Sequence, residues 1–169
     1  CAARKERRWP TGRKAGYHIA SSWYALGEVV CRIDGRSYDQ YVREEIFLPL
    51  GMSDCWLSMS EDRYRDYGAR MASVYTTEGP SAVELIDRNG AQVAARCVPG
   101  ASGRGSARQL VRLYEALLAG GEINGRRVLS PQTVEALTSR QRTGLYDHTF
   151  KHVMDWGLGL VVNSAMYGV

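Results

Sequence analysis

Tyr17, His18 and Ile19 form the cluster with the clearest chemical potential. A tyrosine serves as a general base only where nearby cations depress its pKa from about 10. Lys14 is close in sequence, and a lysine from elsewhere in the fold could complete such a site. The same pattern also fits an ordinary amphipathic tyrosine at a helix start. His18 either faces a substrate or packs beneath that helix. Ser21, one turn after Tyr17, can hydrogen-bond backward along it.

Other chemical signatures are missing or incomplete. There is no G-x-S-x-G nucleophile elbow and no Ser-x-x-Lys. The nearest approach is Thr11-Gly12-Arg13-Lys14, which reads as loop. Gly103-Arg104-Gly105 precedes a helix, as a phosphate cradle would. No lysine follows as in a P-loop, and no third glycine as in a dinucleotide fold. The run reads as a turn that places Ser106. His148 and His152 are four apart, but Asp147, Asp155, Gly157 and Gly159 around them suggest loop and strand. No metal site is expected there. Cys1, Cys31, Cys55 and Cys97 form no C-x-x-C pair. They fit buried thiols in a reducing compartment, so a cytoplasmic location is the expectation.

Charge and hydropathy narrow the classes further. The net charge is +4, and the excess sits in a basic loop over residues 1–16, with Arg4, Lys5, Arg7, Arg8, Arg13 and Lys14 against Glu6. No nucleic-acid motif accompanies it, so a solvated stretch is expected and no nucleic-acid partner. No apolar run approaches the ~18 residues of a membrane span.

The elements that must position these residues follow from periodicity. Trp23, Leu26, Val30 and Ile33 predict a helix from Tyr17 to Asp34-Gly35. Ser37 and Gln40 spell a capping box for a second helix, with Tyr38, Tyr41, Val42 and Ile46 as its stripe. Pro49 and Gly51 stop it. Ser60 starts a short helix. Met71–Thr76 and Val83–Ile86 are strand-like. Ser106 and Gln109 spell a second capping box, before an apolar face of Leu110, Val111, Tyr114, Leu117 and Leu118. Ser130-Pro131 opens a helix through about Thr138. Trp156–Val162 reads as a strand whose sheet partners lie outside the chain.

Four blocks in order resemble the β-lactamase-like serine hydrolases, a family of esterases, penicillin-binding-protein-like enzymes and class C β-lactamases. They are GYHIASSWYALGE (16–28) followed by DGRSYDQYVREEIFLPLGM (34–52), ARQLVRLYEALLAGG (107–121), VLSPQTV (128–134) and WGLG (156–159). The resemblance spans about residues 16–162. It implies an α+β fold in which a helical domain stands beside an α/β domain with an antiparallel sheet, this chain supplying mainly the helical portion. It implies that residues 1–169 are part of one such domain, truncated at both ends, with no cofactor.

The family's second motif is Tyr-x-Asn or a variant. By resemblance Tyr17 is the catalytic tyrosine, His18 and Ser21 are weaker substrate-side candidates, and Ile19 stands where asparagine would be. The Ser-x-x-Lys motif is expected upstream of Cys1 and the final [KH]-[TS]-G motif beyond Val169. The departure at Ile19 favours ester or amide substrates over β-lactams. Two other readings stand beside this: a catalytically silent family member that binds a ligand or partner, and a basic helical module that binds nucleic acid. The sequence leaves oligomeric state open.

Overall fold

The computed structural model describes residues 13–18, 20–76, 79–85 and 89–162. Most of the expected basic loop, residues 1–12, lies outside them, as do Ile19, Ile86 and residues 163–169. Among the described residues there are six α-helices: α1 (Ser21–Asp34), α2 (Tyr38–Val42), α3 (Glu61–Tyr67), α4 (Ala91–Ala94), α5 (Ala107–Leu118) and α6 (Pro131–Thr138). Three antiparallel pairs join them: β1 (Tyr75–Thr76) with β2 (Val83–Glu84), β3 (Glu122–Ile123) with β4 (Arg126–Arg127), and β5 (Arg142–Asp147) with β6 (His152–Trp156). This is the expected α+β class. No described helix is long and apolar enough to cross a membrane.

Helix starts follow local chemistry. The hydroxyls of Ser60, Ser106 and Ser130 accept the N–H groups of Arg63, Gln109 and Thr133, and Pro131 opens α6. Two expected capping boxes are not closed. Ser37 makes no side-chain cap, and the Gln40 amide reaches forward to Glu44 instead. Gln109 turns its amide oxygen to the Asp54 N–H, 2.8 Å away. In both cases a longer-range acceptor or donor outbids the local backbone.

The core forms around the Pro-Leu-Gly-Met turn. Leu50, Met52, Cys55 and Ala116 are buried together, with Ile46, Phe47, Leu113, Ile123 and Val128 packed on them. Residues Arg43–Phe47 continue α2 as a π-helix, so Leu48 N–H bonds Arg43 C=O and Met52 N–H bonds Phe47 C=O. Guanidinium groups then tie the turn down: Arg43 donates to the carbonyls of Ser53 and Cys55, and Arg112 to that of Leu50. Burial pushes the Cys55 thiol pKa up.

Two sequence expectations need correction. The apolar faces of α1 and α5 are not uniformly inward: Leu26, Ile33, Leu110, Val111, Tyr114 and Leu118 are exposed. Small residues make part of the inward contact, Gly27 against Pro99 and Tyr38 in α1 and Ala116 beside Leu113 in α5. The expected strand Trp156–Val162 is displaced. Its strand is β6, which ends at Trp156 and pairs with β5 of this same chain. Beyond Trp156 the backbone folds back, and Val161 forms an isolated bridge to Trp156. The turn is closed by the Gly157 N–H on the Leu160 carbonyl at 2.9 Å, and Gly157 lies against the carbonyl of Leu137 at the end of α6.

Candidate active site around Tyr17

Tyr17 precedes α1, which starts at Ser21 rather than at the tyrosine. His18 explains the difference. Its Nδ1 accepts the Ser21 N–H at 3.2 Å and lies 3.1 Å from Ser21 Oγ. A ring nitrogen two residues ahead of the N-cap, Ala20, thus receives the N–H of the first helical residue. His18 is exposed and does not pack beneath the helix. Ser21 bonds to His18 rather than back along α1.

The tyrosine itself is fixed from several sides. Its ring stacks on Trp156, with centroids 5.5 Å apart and planes 9° apart. Phe150 leans on it at 5.4 Å and 46°. Its hydroxyl oxygen accepts the Trp23 indole N–H at 3.2 Å. Trp23 in turn lies against Gly100, where a Cβ would come within 2.7 Å of the indole. The β5–β6 turn holds the Tyr17 backbone: Asp147 Oδ1 accepts its N–H at 3.1 Å, and Thr149 Oγ1 donates to its carbonyl at 2.9 Å.

Asp147 is fully buried. Burial raises the pKa of its carboxyl, but N–H donors from Phe150, Tyr17 and Thr149 and the Arg142 guanidinium more than offset this, so the net direction is down. Spacing alone did not single out Asp147, Thr149, Phe150 or Trp23, because they lie far from Tyr17 in sequence or on another element. Trp156 was visible only as part of the WGLG block.

A groove of about 920 Å³ shares no lining residue with Tyr17's surroundings. Trp56, Tyr64, Tyr67, Arg70 and Arg104 line it, and Ala101 and Ser102 form the edge that continues from Gly100. Trp56 is held between the guanidinium groups of Arg43 and Arg63, at 3.5 and 4.2 Å from its ring centre. Its indole N–H donates to the Tyr67 hydroxyl, which donates to Asp54. A second hollow, about 670 Å³, lies between α5 and the β3–β4 hairpin and shares no lining residue with Tyr17's surroundings. His148 and His152 flank the β5–β6 turn, and among the described residues no group of three or more His, Cys, Asp or Glu converges.

Comparison with known proteins decides the family. A family model described as beta-lactamase matches residues 2–168. The chain belongs to the beta-lactamase family. The esterase/beta-lactamase LipL of Mycobacterium tuberculosis is 40% identical over 62 residues, which cover 37% of this chain and 14% of LipL. A penicillin-binding protein homologue from Caulobacter crescentus superposes with a TM-score of 0.76 at 28% identity, covering 93% of this chain and 44% of that one. A family VIII carboxylesterase gives a TM-score of 0.76 at 26% identity, covering 92% and 44%. The chain therefore spans less than half the length of the relatives it matches. The resemblance read from the four sequence blocks holds, and so does the α+β architecture it implied.

Proposed function

We propose that this beta-lactamase-family chain carries the general base of a serine hydrolase acting on small ester or amide substrates, and that Tyr17 is that base. The observation that carries the reading is the hold on Tyr17. Its ring and backbone are fixed, while its hydroxyl oxygen receives an N–H from Trp23. The sequence contains no Ser-x-x-Lys, so the nucleophile and its lysine come from outside these residues. The chain's 44% coverage of its solved relatives leaves room for them.

The chemistry then runs in two halves. With the lysine of the Ser-x-x-Lys motif beside it, Tyr17 acts as the tyrosinate: it takes the proton of the serine hydroxyl as the serine oxygen attacks the substrate carbonyl. The tetrahedral oxyanion is held by backbone N–H groups. It collapses to an acyl-enzyme, the C–O or C–N bond breaks, and the proton passes from Tyr17 to the leaving alcohol or amine. Water, activated the same way, releases the acid and restores the serine. Esterase-type substrates are favoured over β-lactams because Ile19 replaces the family's asparagine. The likeness to a family VIII carboxylesterase supports the same preference.

The test is Tyr17→Phe in the complete protein, assayed on p-nitrophenyl esters. Turnover should fall by about two orders of magnitude or more, the scale of a lost general base. Residues 1–169 alone should neither hydrolyse p-nitrophenyl acetate above the buffer rate nor label stoichiometrically with a fluorophosphonate. Near-normal turnover in the phenylalanine variant removes Tyr17 from the mechanism. Labelling of the isolated chain would place the nucleophile within it. A complete protein lacking Ser-x-x-Lys would instead be a binding protein.

A further inference from the structure

A base that precedes its helix has no helical hydrogen bonds to fix its own backbone, yet proton transfer needs heavy atoms about 2.6–3.2 Å apart. The structure meets that need from the far end of the sequence. Both polar backbone groups of Tyr17 are bonded to one turn, the N–H to Asp147 and the C=O to Thr149. The segment ahead of Tyr17 is anchored there too: Ala15 forms a parallel bridge to Asp147, and the His148 N–H donates to the Ala15 carbonyl. Phe150 and Trp156, from the same hairpin, hold the ring.

We infer that Asp147 and Thr149 are positioning residues for the reaction, setting the backbone of Tyr17 so that its hydroxyl meets the reacting proton. This rests on the reading of Tyr17 as the base. The turn itself needs only a side-chain acceptor for the Thr149 and Phe150 N–H groups, which Asp147 Oδ1 supplies at 2.9 and 3.1 Å. An asparagine or serine fills that local role in many turns. Neither the extra acceptance from Tyr17 nor the return bond from Thr149 is needed to close the turn. A buried carboxylate is costly to keep. Here Arg142 Nη2, 3.0 Å from Oδ2, compensates it, leaving Oδ1 for the turn and the tyrosine.

The experiment uses the complete protein. Thr149→Val, Thr149→Ser and Asp147→Asn are made in the wild-type and Tyr17→Phe backgrounds, and kcat and KM are measured on a p-nitrophenyl ester. Thr149 is exposed, so its valine variant remains a usable test even where Asp147→Asn fails to fold. Thr149→Val should lower kcat by about ten- to a hundredfold at unchanged KM, as misplacement of a catalytic group does. Thr149→Ser, which keeps the donor, should restore most of the rate. In the Tyr17→Phe background, Thr149→Val should change kcat by less than about twofold, because the group it positions is gone. Equal losses in both backgrounds, a loss confined to KM, or wild-type kcat in Thr149→Val would each overturn the inference while leaving Tyr17 as base. Near-normal turnover in Tyr17→Phe alone would overturn both.

Discussion

Substituting Gly157 by alanine tests how closely the hairpin must seat against α6. A Cβ at Gly157 would lie 2.1 Å from the carbonyl oxygen of Leu137 and 3.1 Å from both the Leu137 carbonyl carbon and the Ser139 carbonyl oxygen. Real Cβ atoms keep beyond 3.0 Å, so a rigid backbone carbonyl would have to recede. That carbonyl also accepts the Leu158 N–H at 3.1 Å, a bond the displacement would break. Overpacking of this kind costs about 1–3 kcal/mol, and the lost bond adds about 1 kcal/mol. Urea unfolding of the complete protein should therefore show a loss of roughly 2–4 kcal/mol at unchanged slope. Because Trp156 adjoins the shifted residue and stacks on Tyr17, ester turnover per folded molecule should fall about tenfold as well. A variant within about 0.5 kcal/mol of wild type, the range of ordinary surface changes, would show that the two elements do not seat as described.

Acid should weaken the protein partly through Asp147. A carboxyl held below its ordinary pKa adds stability above about 3.9, the unfolded value, and loses it as pH falls through the folded value. Urea midpoints should thus drop between about pH 5 and pH 2, and Asp147→Asn should flatten that drop; an equally steep fall in the variant would reject Asp147 as a source. Replacing His18 with alanine removes the acceptor of the Ser21 N–H and should cost about 0.5–1.5 kcal/mol, the worth of one hydrogen bond, with a smaller loss of turnover than Tyr17→Phe. A melting curve unchanged by alanine would discount that bond.

How much was legible beforehand depended on range. The start of α6 at Pro131, the cap at Ser106 and the stop at Gly35 follow from two to four neighbouring residues, and each stands where the local chemistry put it. The site's support did not show in the linear pattern. Nothing between residues 17 and 147 announces that a carboxylate and a tyrosine amide will meet across 130 positions. The start of α1 is hidden because the acceptor of its first N–H is a histidine ring two residues ahead of the N-cap, outside the serine, threonine, aspartate and asparagine signals that mark a helix start. Ser37 and Gln109 have the right spelling for reciprocal caps. In the fold Gln109 serves the Asp54 amide of the core turn, a partner local pattern cannot name.

The π-helical stretch Arg43–Phe47 has a consequence for how this family segment tolerates changes in length. Each residue of a helix turns the chain by about 100°. Removing one residue here, or adding one, would rotate everything after it by that angle. Leu50 and Met52, each 1% exposed, would then leave the pocket formed with Ala116, and the Arg43 and Arg112 guanidinium groups would face the wrong carbonyls. Single-residue insertions and deletions between α2 and the Pro-Leu-Gly-Met turn should therefore be selected against more strongly than substitutions at exposed Glu44 or Glu45. The spacing of the turn behaves as an inherited quantity, counted in residues.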